Sequence, residues 1–202
     1  MKDGRRDMRG RILFWLALTA AVAAAAADDP PPEAAYTGAD SVLLAEVRRG
    51  FETAPESAAE TRRLIERLDA SLPAEADAWP AVLRAYRAAL EGLAGKHGRT
   101  PWEKYTRAQA GISRFEGLVD AYPESTEIRM LRYTFAGQLP DFFGLRPQAD
   151  ADLPVLVGLL VDGRDPMVTE AYRADAARWI LRHGDPSPDL RRRLEVWLES
   201  TP

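Results

Sequence analysis

At 202 residues, with 46% apolar and 29% charged side chains, the chain is long enough to bury one sizeable core. Its formal net charge of −4 argues against nucleic acid or an anionic membrane as the main partner, since both are bound through excess Lys and Arg. The absence of cysteine excludes disulfides, a thiol nucleophile and a lipid-modified N-terminal cysteine, so stability must come from packing.

Residues 1–11 carry Lys2, Arg5, Arg6, Arg9 and Arg11 against Asp3 and Asp7, and Ile12 to Ala27 then runs without a charge. Ala25-Ala26-Ala27 before Asp28 has the small-residue form of a signal peptidase site. The segment therefore reads as a cleavable export signal over residues 1–27. An uncleaved anchor is the alternative, but the apolar run is mostly alanine and shorter than the roughly 20 residues a spanning helix needs. Cleavage would take five basic and two acidic residues with it, leaving 22 and 29, a net charge of −7. Residues 28–38, beginning Asp-Asp-Pro-Pro-Pro-Glu, are composed as a Pro-rich tether.

From residue 39 to 202 the sequence reads as a single all-α domain. No alternating Val/Ile/Thr run occurs, and Ala, Leu, Arg and Glu dominate. Helices are predicted near 39–53, 57–72, 77–95, 101–122, 125–138, 150–162, 166–183 and 188–200. Thr100 with Glu103, and Ser57 with Glu60, have capping-box spacing. Asp165-Pro166 and Ser187-Pro188 place a capping side chain before a first-turn proline. Gly163 and Gly184 stand where helices should end in left-handed geometry.

Leu83, Tyr86, Leu90 and Leu93, with Trp79 ahead of them, form one apolar stripe. Trp102, Tyr105, Ile112, Phe115 and Leu118 form another. Leu153 to Val161 is apolar almost all round, which predicts a central buried helix. Gly111, Phe115, Leu118 and Pro123 have the spacing of the second helix of a tetratricopeptide repeat, in which a small residue admits the neighbouring helix and proline closes the unit. No second copy is found. The expected architecture is antiparallel helical hairpins, either a degenerate tetratricopeptide-like stack or an irregular helical bundle.

Glu127-Ile128-Arg129-Met130-Leu131-Arg132, followed by Leu139-Pro140-Asp141-Phe142-Phe143 and Asp152, resembles an uncharacterised family of exported bacterial α-helical proteins. Their block reads Pro-x-x-x-Glu-(Ile/Val)-Arg-Phe-Leu-Arg before a Pro-x-Phe-Leu turn. The likeness spans roughly residues 80–160, with Met130 and Phe143 as apolar departures. It implies export and a helical fold, and it supplies no activity.

The candidate binding residues come from the same segment: Arg129, Arg132, Glu127, Phe142 and Phe143. Arg129 and Arg132 are three apart and point to one side of a helix. One reading has them paired with Glu116, Asp120 or Asp152 on neighbouring helices. The other has them lining a groove that holds an anionic group. Phe142 and Phe143 sit in a turn, where they either dock a partner or plug the end of the helix stack.

Lys96, His97, Arg99 and Lys104 form a basic cluster at a helix start, but Thr100 and Glu103 already serve the free N–H groups there. His97 and His183 lack partners at metal-ligand spacing, and no nucleotide loop or nucleophile motif occurs. Asp175 interrupts an apolar stripe and is expected to pair with Arg178 or Arg182. The sequence thus predicts an exported, non-catalytic interaction or scaffold module with no metal or cofactor. Its partner would be another envelope protein or peptide. The alternative is a small-ligand binder or enzyme using an inter-helix pocket around Arg129 and Arg132.

Overall fold

The computed structural model describes residues 39–75 and 78–201, and all regular structure within them is helical. The predicted signal peptide at 1–27 and the tether at 28–38 lie outside the described residues. The helices are α1 (Ala39–Phe51), α2 (Ala58–Ser71), α3 (Ala81–Lys96), α4 (Pro101–Phe115), α5 (Thr126–Gln138), α6 (Arg146–Asp162), α7 (Glu170–His183) and α8 (Pro188–Ser200). Short 3₁₀ turns at Ala54–Glu56 and Asp141–Phe143 and a single helical turn at Leu118–Ala121 lie between them.

The predicted caps explain most boundaries. The Ser57, Thr100 and Ser187 hydroxyls accept from the N–H groups of Glu60, Glu103 and Leu190. Gly163 ends α6 at φ 63°, as its position implied, whereas Gly184 is in ordinary extended geometry. Several boundaries differ from expectation: α3 and α6 begin at Ala81 and Arg146 rather than near 77 and 150. The predicted 101–122 helix breaks at Gly117, whose φ of 77° only glycine adopts readily. Asp165 does not cap α7, which starts at Thr169 instead. Its carboxylate is taken by the Met167 N–H and, across the molecule, by the Thr126 N–H in the first turn of α5.

Helices α1 to α4 form one group and α5 to α8 another, and the α3–α5 contact joins them. Leu83, Tyr86, Leu90 and Leu93 are fully buried, so the predicted stripe of α3 is its core face. Leu156, Val157 and Leu160 of α6 are buried too, but Val155 on the same helix is 45% exposed. The helix buried nearly all round is α5, from Thr126 to Leu131 and Tyr133 to Ala136. Its Phe135 ring lies between α3 and α4, where Gly92 and Gly111 leave room for it. A Cβ on Gly111 would stand 2.9 Å from Phe135 Cζ and 3.0 Å from the Ala88 carbonyl oxygen, so neither helix could keep its place.

The stripe expected on α4 is corrected at its N-terminal half. Ala108, Gly111 and Phe115 face inward, but Trp102 is 72% and Tyr105 40% exposed. Carrying the three-four spacing back from Ala108 reaches Lys104 and Pro101. Trp102 and Tyr105 lie one residue further on, a rotation of about 100° away from the core.

Candidate functional site

A central helix with Glu127, Arg129 and Arg132 must either pair those charges or expose them, because an unpaired buried charge costs several kcal/mol. Glu127 is met by α1 and α3. It accepts from Arg48 Nε at 2.9 Å, from Arg48 Nη2, and from the Tyr86 hydroxyl at 2.7 Å. Burial works against the charge on Arg48, but Glu127 beside it more than offsets this and its pKa is raised. Burial first, and the Glu127 charge second, push the Tyr86 and Tyr172 phenols well above 10, so both stay protonated.

Arg129 and Arg132 are met by α6. Arg129 Nη1 donates to Asp152 Oδ1 at 2.7 Å and Nη2 to the Pro123 carbonyl at 3.1 Å. Arg132 Nε donates to Asp152 Oδ2 at 2.8 Å, and its Nη2 reaches Oδ1. The Asp152 side chain is 2% exposed. One carboxylate thus takes both guanidinium groups, the third of the three acidic residues named as possible partners. The same device joins α2, α3 and α4, where Arg87 pairs with Asp69 and Glu91, and Arg107 with Glu91. Asp175 pairs with Arg178 at 3.0 Å.

A polar cleft of about 390 Å³ opens where α5, α6 and α7 meet, lined by residues that include Tyr133, Arg146, Asp150, Trp179, His183 and Asp185. Burial chiefly pushes the Tyr133 hydroxyl up to about 12. Burial, then Arg182, hold His183 below its ordinary 6.5. Among the described residues no three His, Cys, Asp or Glu side chains converge to hold a metal ion. Arg129 and Arg132 line neither this cleft nor the one described next.

The second cleft, of about 340 Å³, lies between α3, α4 and the 3₁₀ turn after α5. Gly92, Gly95 and Ala108 give it a floor of small residues, and Phe135, Leu139 and Pro140 add apolar wall. Gly95 is needed there because a Cβ would crowd the Lys104 carbonyl oxygen at 3.1 Å. Lys96 and Lys104 are its only charged lining groups. Lys96 is held by the Pro55 carbonyl at 2.6 Å and by Glu56 at 2.9 Å.

Beside this cleft is a ladder of four rings, of which Tyr105, Phe142 and Phe143 line it and Trp102 continues the series outside it. Trp102 stacks on Tyr105 at 6.0 Å, Tyr105 on Phe143 at 5.4 Å, and Phe143 on Phe142 at 4.5 Å, with interplanar angles of 24°, 21° and 30°. Phe142 is 75% exposed. Sequence reasoning singled out Phe142 and Phe143 but missed Trp102 and Tyr105, which it assigned to the core. Ala108 and Gly111 mark a face offset by one residue from these rings, but only the contacts at Gly95 and Gly111 show that this face meets α3.

Comparison with protein-family models, with curated proteins and with solved structures finds no match.

Proposed function

We propose that this chain is an exported, non-catalytic interaction module, and that its contact surface is the aromatic ladder formed by Trp102, Tyr105, Phe143 and Phe142. The observation that carries this reading is the exposure of Trp102 and Phe142 within one stacked series beside an apolar cleft. Large exposed aromatic surface costs solubility and contributes little to folding, so it points to a partner. The charged candidates Glu127, Arg129 and Arg132 are committed to other helices, which moves the contact surface away from them.

Export rests on the basic n-region, the uncharged run and the alanine site, together with the resemblance around Glu127 to Arg132. A tetratricopeptide-like arrangement of the hairpins is supported by Gly111, which admits Phe135 and the α3 backbone at a helix crossing. N-terminal sequencing of the secreted or envelope form should begin at Asp28; Met1 on a membrane-bound form would overturn the cleaved signal. For the contact surface, the test is affinity capture from the envelope fraction under gentle crosslinking. One stoichiometric protein should be recovered with the unaltered chain and lost with Trp102→Ser/Phe142→Ser. Equal recovery with both would remove the ladder from the account.

A further inference from the structure

We propose that the ladder and its cleft receive an acidic, proline-rich segment of a partner protein in extended conformation. This rests on the interaction-module reading and names the class of its partner.

Three features of the surface select this occupant. The described residues contain no strand, so an incoming peptide finds no sheet edge to extend and must be held by its side chains. Trp102 and Phe142, the two ends of the stacked series, are the exposed rings, and apolar aromatic surface of this kind is what pyrrolidine rings pack against at little entropic cost. The Gln138 amide on the cleft wall offers a donor to the carbonyls of the segment.

Charge sets the sign of the partner. Lys96 and Lys104 line the cleft and no carboxylate does. Lys96 is already shared with Glu56, whereas Lys104 makes no ion pair among the described residues, so an acidic residue beside the prolines gains a partner there. An anionic bilayer fits less well. Asp141 adjoins Phe142 in the same turn, and inserting the ring would carry that carboxylate towards the lipid.

The test is fluorescence polarisation on the whole chain with a labelled peptide Asp-Asp-Pro-Pro-Pro-Glu, a run this sequence itself carries at residues 28–33. Binding should be saturable and at least tenfold weaker for Lys-Lys-Pro-Pro-Pro-Lys and for Asp-Asp-Ala-Ala-Ala-Glu. Trp102→Ser, Phe142→Ser and Lys104→Glu should each weaken it at least tenfold while leaving the unfolding midpoint in place. Equal affinity for all three peptides, or binding indifferent to Trp102, overturns the proposal. So does ladder-dependent sedimentation with phosphatidylglycerol vesicles in the absence of peptide binding, which would make the occupant a membrane. A ladder-dependent dimer by light scattering, again without peptide binding, would make it a second copy. A tenfold gain in peptide affinity on replacing Pro30, Pro31 and Pro32 with alanine would place the chain's own segment there and overturn the assignment to a partner. If the peptide fails while captured protein still depends on Trp102 and Phe142, the module reading stands and only this assignment of partner falls.

Discussion

The buried charge layer and the aromatic ladder have exchanged the places that composition alone would give them. Arg48, Glu127, Arg129 and Asp152 are less than a tenth exposed, while Trp102 and Phe142 are about three-quarters exposed. The charges are tolerated inside because each is answered by a side chain from another helix: α1 and α3 on one side of α5, α6 on the other. The rings are left outside although nothing about a ring prevents burial. A folded chain gains by hiding them, so their exposure is the feature that folding does not explain. Paired charges in the interior describe how the helices are registered. Under the proposed function, the unburied rings are the surface left for another molecule.

The buried charges are the most sensitive to substitution. Glu127→Leu strands Arg48 in the interior and should cost about 3–5 kcal/mol in urea unfolding. Adding Arg48→Met should recover most of it, since two apolar side chains replace two charges. Full additivity of the two losses would mean the pair is not coupled as its geometry implies.

Removing both donors to Asp152 comes next. Arg129→Ala/Arg132→Ala leaves a carboxylate that is 2% exposed without a cation, and the loss should be about 3 kcal/mol with a broadened melt. A variant that unfolds like the parent would return the two arginines to the candidate surface. Gly111→Ala is smaller, about 1–3 kcal/mol, because Phe135 and the Ala88 carbonyl must both give way. Its calorimetric signature should be a lower Tm without loss of cooperativity.

A pH effect is smaller again. His183 has its pKa lowered by burial and by Arg182, so the fold favours the neutral ring. Its share of stability is complete above the unfolded value near 6.5 and is lost as pH falls through that value towards the lower folded one. Comparing the parent with His183→Gln between pH 7 and pH 5 should show a shallower decline in the variant. A steeper one would reverse the sign of the shift.

The order and number of helices were legible because local signals carry them. Ser57, Thr100 and Ser187 mark their own boundaries, and the α3 stripe needs only its 3.6-residue period. The charge layer was half legible. Asp152 was within reach of reasoning from helix neighbours, but Arg48 and Glu127 are 79 residues apart and nothing local joins them. The ladder was hidden for a different reason. Trp102 and Tyr105 are apolar and regularly spaced, and periodicity cannot separate a core stripe from a parallel stripe rotated by one residue. Only the glycine contacts at Gly95 and Gly111 fix which face of α4 meets α3.

Urea unfolding of Trp102→Ser/Phe142→Ser decides whether the ladder belongs to the proposed contact surface or, like the charge layer, to the fold. A contact surface outside the fold should leave the free energy of unfolding within about 0.5 kcal/mol of the parent, as for surface positions without structural duty. A loss of about 2 kcal/mol or more would show that the rings belong to the fold, and the proposed contact surface would go with them.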